Sequence, residues 1–291
     1  MQALVVHESY RRSAEPEIVL CVDDSATAPY AAAWAAAEAA ARGGRLTIMH
    51  ATGYAVDAPD TRRATDILDT AREVARREHP RLGIATRIVD GDLVHGLLDA
   101  AEDAQLVVLG LGSGATAGAV REPPAVDLLG RASCPVLLVR RLDVLSGSSV
   151  VACVDGSPVD TAVLSSAFAA AAAHRLPLRV IDVDPPRSYE PAELVAAELQ
   201  CWSGPYPEVR ATFEAVQGRP ATVVAQRSAG ARLLVVGIPR RRSRGAAVGS
   251  TDRLPALESR CPVLVAIGSD SGPPRRVNGY DTPWGAAPRG R

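Results

Sequence analysis

The chain contains no lysine: all 32 of its basic residues are arginine. Two chemistries fall with it. A G-x-x-x-x-G-K-[ST] phosphate loop needs a lysine to reach the phosphates, and Schiff-base catalysis needs an amine nucleophile. Neither sign of charge is in excess, the formal net charge being −1. Composition therefore gives no electrostatic case for nucleic acid or an anionic membrane surface as partner. No C-x-x-C occurs among the five cysteines, so neither a metal site nor a structural disulfide has a spacing to support it. No charge-free apolar run is long enough to span a bilayer. The N-terminus has no basic stretch followed by a long apolar core, the mark of a secretory signal. A soluble, cytoplasmic protein is expected. No G-x-S-x-G and no Ser-His-Asp set stands out for nucleophilic hydrolysis.

What the chain does have is a duplication. Ile18-Val-Leu-Cys-Val-Asp-Asp-Ser25 is echoed by Val150-Val-Ala-Cys-Val-Asp-Gly-Ser157. Leu106-Val-Val-Leu-Gly110 is echoed by Leu233-Leu-Val-Val-Gly237, and Ser133-Cys-Pro-Val-Leu-Leu-Val139 by Arg260-Cys-Pro-Val-Leu-Val-Ala266. The offset is 132 residues from Asp23 to Asp155 and from His50 to Asp182, and 127 from Gly110 to Gly237 and from Cys134 to Cys261. The first copy thus carries 5 extra residues between its second and third strands. A repeat of this size is a whole domain. The domains are expected at 16–141 and 149–268, with an arm before residue 15, a short linker over Leu142–Ser149, and a disordered tail at 269–291, rich in Gly, Pro and Arg. Cys21/Cys153 and Cys134/Cys261 are repeat-equivalent pairs in apolar runs, where cysteine acts as a small hydrophobe. Cys201 has no twin and could be a free thiol.

Short β-branched runs alternate with helical patterns in both copies. Strands are expected at Ile18–Val22, Leu46–Met49, Ile84–Val89, Leu106–Leu109 and Val136–Val139. In the second copy they fall at Val150–Val154, Leu178–Val183, Val209–Val216, Leu233–Val236 and Val263–Ile267. Helices are expected at Ala28–Arg42, Arg62–Arg77, Val94–Glu102 and Val126–Arg131, then at Asp160–His174, Ala192–Cys201, Ala221–Ser228 and Asp252–Ser259. The fold class is α/β: two tandem, doubly wound domains, each with a five-stranded parallel sheet covered on both faces. The last strands of the two copies are expected to pack against each other as a pseudo-two-fold pair, which would cover exposed edges.

In such sheets ligands sit beyond the C-terminal strand ends, where strand order reverses. The first strand of each copy ends in Asp23 or Asp155, the fourth in Gly110 or Gly237. If those strands are neighbours, a carboxylate able to accept from a ribose hydroxyl shares a crevice with loop-to-helix N–H groups able to hold phosphate. With these residues on the page, residues 17 to 267 resemble a tandem universal stress protein. That family carries an Asp-x-Ser at the first strand end, here Asp23-Asp24-Ser25 and Asp155-Gly156-Ser157. Many members follow the fourth strand with G-x2-G-x9-G-[ST], a helix and a C-P-V-L-V strand. The resemblance implies a stress-response binding or regulatory protein rather than an enzyme, with an adenine nucleotide, ATP, as its ligand.

The second copy reads Gly237-Ile-Pro-Arg240 and closes on Gly249-Ser250-Thr251. Arg240 stands where the pattern has its middle glycine, and the loop is one residue short. By resemblance, Asp155 meets the ribose or adenine, Val183 and Val236 line the base, and Gly237, Gly249, Ser250 and Thr251 hold phosphates. Arg240, Arg241, Arg242 and Arg244 either pair with phosphate or solvate an exposed loop. In the first copy Glu122-Pro123-Pro124 replaces Gly-Ser-Thr. Proline has no N–H to donate, and Glu122 would face phosphate with like charge. Each lost charge-assisted bond is worth about 1.5–3 kcal/mol, so this copy is expected to bind ATP weakly or not at all. Its Gly110-Leu-Gly112-Ser-Gly114 looks like a dinucleotide fingerprint but follows the fourth strand, not the first.

The remaining candidates read as structural. His50 and its twin Asp182 are polar strand-end residues, His95 and His174 lie on helices without a second ligand, and Asp92 is matched by Arg219. Asp66, Asp69 and Glu73 form a charged helix face. No catalytic or metal residue is assigned. Two rivals stay open: an interaction scaffold that binds no nucleotide, and a nucleotide-hydrolysing or nucleotidyl-transferring enzyme for which only Asp155 and Asp252 could hold a metal. A homodimer is also left open, and no protein partner is named.

Overall fold

The computed structural model describes residues 15–52, 58–89, 93–111, 128–140, 145–155, 157, 159–183, 199, 202, 204–239, 259, 261–268, 276–277 and 280–281. Strand β1 (Glu17–Cys21) leads into helix α1 (Ala28–Ala41), then β2 (Arg45–Ala51), α2 (Ala58–Glu78), β3 (Ile84–Val89), α3 (Leu93–Asp103), β4 (Leu106–Leu111) and β5 (Val136–Arg140). The second copy runs β6 (Val150–Val154), α4 (Asp160–His174), β7 (Leu178–Val183), β8 (Ala211–Val216), α5 (Pro220–Arg227), β9 (Leu233–Pro239) and β10 (Val263–Gly268). Residues 128–131 are helical, as are Leu199 and Trp202. The helix expected at Asp252–Ser259 lies outside the described residues, apart from Ser259. Within the tail, Arg276–Val277 pairs antiparallel with Tyr280–Asp281.

Local chemistry sets these boundaries. Alanine, the strongest helix former, makes up most of α1, and Pro29 sits in its first turn, where no intrahelical N–H is lost. The chain leaves α1 through Gly43 at φ 62°, a left-handed position that glycine adopts without strain. Its twin in the second copy is Arg175, at φ 54° after α4. The same stop is therefore made twice, once by a residue that tolerates it and once by one that does not.

The ten strands form one sheet in the order β3-β2-β1-β4-β5-β10-β9-β6-β7-β8. Each copy is parallel throughout, and the join is an antiparallel pairing of β5 with β10. Its register matches Val136 to Val265, Leu137 to Leu264 and Leu138 to Val263. Leu137 and Leu264 are repeat-equivalent, so the pseudo-two-fold axis runs through that pair. The expected packing of the two last strands is thus realised as direct hydrogen-bonded pairing. Each face of the sheet buries one apolar layer drawn from both copies, one centred on Trp34, Ile48, Phe168 and Val180, the other on Leu97, Leu128, Val151 and Val265. Phe168 stacks on Trp202 and Tyr206, with centroids 6.1 and 5.8 Å away.

Helices α1 and α4 meet beside the axis, and there the symmetry breaks. Glu38, 1% exposed, accepts hydrogen bonds from Arg42 Nε at 3.0 Å and from His174 Nε2 at 2.6 Å. Arg42 and His174 are twins, whereas the twin of Glu38 is Ala170. Burial alone would raise the Glu38 carboxyl, but the His174 hydrogen bond and the Arg42 charge bring it down to about 2. Arg232 completes the junction, its guanidinium 4.8 Å from the Trp34 ring centroid and donating to the Leu145 carbonyl at 2.8 Å. His174, expected as a solvated or packed helix histidine, is a packed one.

Candidate functional site

Within each copy the chain adds strands outward from β1 to β3, then crosses back so that β4 lies on the other side of β1; β6 and β9 repeat the arrangement. The first and fourth strands are therefore neighbours. This is the reversal point at which open α/β sheets form a crevice.

The carboxylates at the two first-strand ends are set alike. Asp23 Oδ1 accepts from the Ser25 N–H at 3.1 Å, and Asp155 Oδ1 from the Ser157 N–H at 3.1 Å. Both side chains are exposed, with oxygen lone pairs left for a ligand. Behind them the copies differ. In the first, buried Thr27 donates from Oγ1 to the Leu111 carbonyl at 2.9 Å, tying the start of α1 to the end of β4. In the second, Val159 takes that place, and the Asp155 N–H points between the two carboxylate oxygens of buried Asp160, 3.3 Å from each. The sequence reading missed Asp160, although an acid in the first turn of a helix is a legible signal.

The register sets β6 beside both β7 and β9, with Ala152 level with Val235 and Val154 level with Asp182. Asp155, Val183, Val236 and Gly237 therefore come together at one end of the sheet. Val183 and Val236 are partly buried on one face with Val216 and Ile238. Gly237 has a packing role of its own: a Cβ there would overlap Val159 Cγ1 and lie 2.7 Å from Val163 Cγ2. At its twin Gly110 the same atom would sit 3.3 Å from Thr27 Cγ2. Arg240, Gly249, Ser250 and Thr251, and on the other side Glu122, Pro123 and Pro124, lie outside the described residues, as does Cys201.

The strand-end pair His50 and Asp182 also diverges. His50 Nδ1 is 2.8 Å from the Val22 carbonyl, so that histidine is tied to the backbone of β1's end. Asp182 is 4% exposed, and its carboxyl is pushed up to about 6 by burial and then by the neighbouring Asp155 charge. The thiols of Cys21, Cys134 and Cys153 are each raised to about 12, by burial first, which makes them packing groups rather than nucleophiles. Among the described residues no His, Cys, Asp and Glu group could hold a metal ion, and no helix is long and apolar enough to cross a membrane.

Comparison with known proteins now decides the family. The model of the universal stress protein family matches residues 16–140 and again 148–266. The chain belongs to the universal stress protein family. A universal stress protein of Mycobacterium tuberculosis strain H37Rv is 31% identical over 283 residues, covering 86% of this chain and 95% of its own. Another, from Mycolicibacterium smegmatis, is 29% identical over 281 residues, covering 85% and 96%. Among solved structures, a universal stress protein from Archaeoglobus fulgidus superposes with a TM-score of 0.64 at 18% identity, over 87% of this chain and 97% of its own. That likeness is one of fold: two universal stress domains in one chain.

Proposed function

We propose that this universal stress protein binds an adenine nucleotide, ATP, in the crevice of its C-terminal copy, that its N-terminal copy serves as scaffold, and that it acts in the cytoplasm as a binding or regulatory protein without turnover of its own. The observation that carries this is the contrast between equal strand ends and unequal loops. Both copies hold an exposed aspartate at the reversal point in the same turn. Only the second follows its fourth strand with Gly249-Ser250-Thr251, all able to donate to phosphate, where the first has Glu122-Pro123-Pro124. In this reading Asp155 accepts from the sugar, Val183 and Val236 flank the base, and the loop from Gly237 through Arg240 to Thr251 holds the phosphates.

One observation favours the rival scaffold reading. The contact of Gly237 with Val159 and Val163 requires a glycine there with or without a ligand, and Arg240 replaces the family's next one. Calorimetric titration of ATP separates the readings. Gly249→Pro is expected to weaken binding by at least about tenfold, the worth of one charge-assisted bond, while Glu122→Ala leaves it unchanged. Absence of binding by the unmodified protein favours the scaffold; equal losses from both changes overturn the assignment of the copies.

A further inference from the structure

Asp160 is the buried acid of the C-terminal crevice to which the nucleotide reading gives no task. It opens α4 and is 2% exposed. Its carboxylate reaches backwards, out of the helix, and both oxygens lie 3.3 Å from the Asp155 N–H. That N–H belongs to the strand end and not to the first turn of α4, so this bond does not cap the helix.

The first copy makes the same turn without it. The twin of Asp160 is Ala28. The Ala28 N–H donates to the Ser25 carbonyl at 3.1 Å, as the Asp160 N–H donates to the Ser157 carbonyl at 3.0 Å. Asp23 and Asp155 each accept from the serine two residues on, at 3.1 Å. Thr27 Oγ1, the buried hydroxyl of the first copy, is tied to the end of β4 and not to this turn. A buried carboxylate carries a desolvation cost. Since the turn forms equally with alanine in that place, its folding does not account for the acid.

What Asp160 adds is a second hold on Asp155. Ser157 N–H fixes the Asp155 side chain through Oδ1, and Asp160 fixes the Asp155 peptide. Oδ2 takes no part in the turn, and Asp155 is exposed. Two carboxylates at one strand end also select a ligand group by charge: an anion is repelled and a neutral donor is drawn in. A sugar diol is such a donor.

Resting on the nucleotide reading, we propose that Asp160 is a positioning residue: it holds the Asp155 carboxylate where that group accepts from a ribose hydroxyl, and so makes the C-terminal crevice select ribose over a sugar without hydroxyls. The first copy, with Ala28 in that place, carries the aspartate without the hold.

The test is calorimetric titration of the full-length protein with ATP and with 2′,3′-dideoxy-ATP, which lacks both hydroxyls. The unmodified protein is expected to prefer ATP at least about tenfold, the worth of one hydrogen bond to a charged acceptor. Asp155→Ala is expected to bind the two alike. Asp160→Ala is expected to bring the preference down to about threefold or less, through weakening of that one bond. The double variant is expected to lose nothing beyond Asp155→Ala, because both changes remove a single interaction. Asp160→Asn keeps a carbonyl oxygen for the Asp155 N–H and is expected to keep the preference; it carries the test if Asp160→Ala does not fold. A full preference for ATP in folded Asp160→Ala or in Asp155→Ala overturns the positioning role while leaving nucleotide binding intact. So do additive losses in the double variant, loss of the preference in Asp160→Asn, or equal affinity of the unmodified protein for the two triphosphates. Failure of the unmodified protein to bind either triphosphate, with far-ultraviolet circular dichroism showing it folded, withdraws the nucleotide reading and this one with it.

Discussion

The two copies share a strand order, a reversal point and an aspartate turn, yet they part in the polar contacts behind that turn and at the helix junction. The N-terminal copy ties Thr27 to Leu111 and His50 to Val22 and so closes its strand ends on its own backbone. The C-terminal copy has Val159 and Asp182 at those places and gathers Asp155, Asp160 and Asp182 instead. At the other end of the helices the bias reverses: Glu38 is in the first copy, and the second supplies only alanine at that place. Duplication preserved the apolar frame, because each β-branched residue packs the same way twice, while polar groups were free to settle differently once each copy had a distinct neighbour.

That comparison is most severely strained at Glu38. Glu38→Gln is expected to cost about 3–5 kcal/mol, the range for breaking a buried ion pair, read as a lower urea midpoint; Ala170→Ser at the twin is expected to cost little. The sign with pH follows from the depressed Glu38 carboxyl. Its stabilisation is present above its unfolded value of 4.5 and is lost as pH falls from there toward about 2, so the gap between Glu38→Gln and the parent should narrow on acidification. A gap that widens would show the carboxylate to be a burden in the fold.

A smaller effect is expected at the fourth-strand glycines. Gly237→Ala forces a methyl into Val159 and Val163 and should cost about 1–3 kcal/mol by overpacking. Gly110→Ala meets only Thr27 and Ala31 at 3.3 Å and beyond and should cost under about 1 kcal/mol. Equal shifts in thermal midpoint would mean that the two crevices pack alike. Smallest is the helix stop: Arg175→Gly relieves a left-handed residue at φ 54° and is expected to stabilise by about 0.5–1 kcal/mol, measured as a raised Tm.

The frame was legible in the amino-acid sequence because it is local. Short continuous apolar runs such as Leu106–Leu109 and Leu233–Val236 marked strands, Gly43-Gly44 marked a helix stop, and the repeat gave the domain count. Boundaries shifted where tertiary contact extends an element: β2 reaches Ala51 and β9 reaches Pro239, carried on by pairing with β3 and β10. Val209 and Arg210 fall outside β8, which begins at Ala211. Asp155 and Gly237 were legible as strand ends through their twins Asp23 and Gly110, whereas Val183 and Val236 came from the resemblance to the universal stress family. The Glu38–His174 contact had no such guide, since it joins residues 136 positions apart and no twin pair repeats it. Asp182 looked like a polar strand end because its burial, at 4% exposure, is a tertiary fact that its own short run does not carry.

The antiparallel seam at Leu137 and Leu264 has one more consequence. Two separate chains meeting about such an axis must each present the same face, so an acid beside it would confront its own copy. Covalent fusion lifts that requirement. One glutamate can then receive both Arg42 and His174, and the halves are free to specialise without either losing the other as its mate.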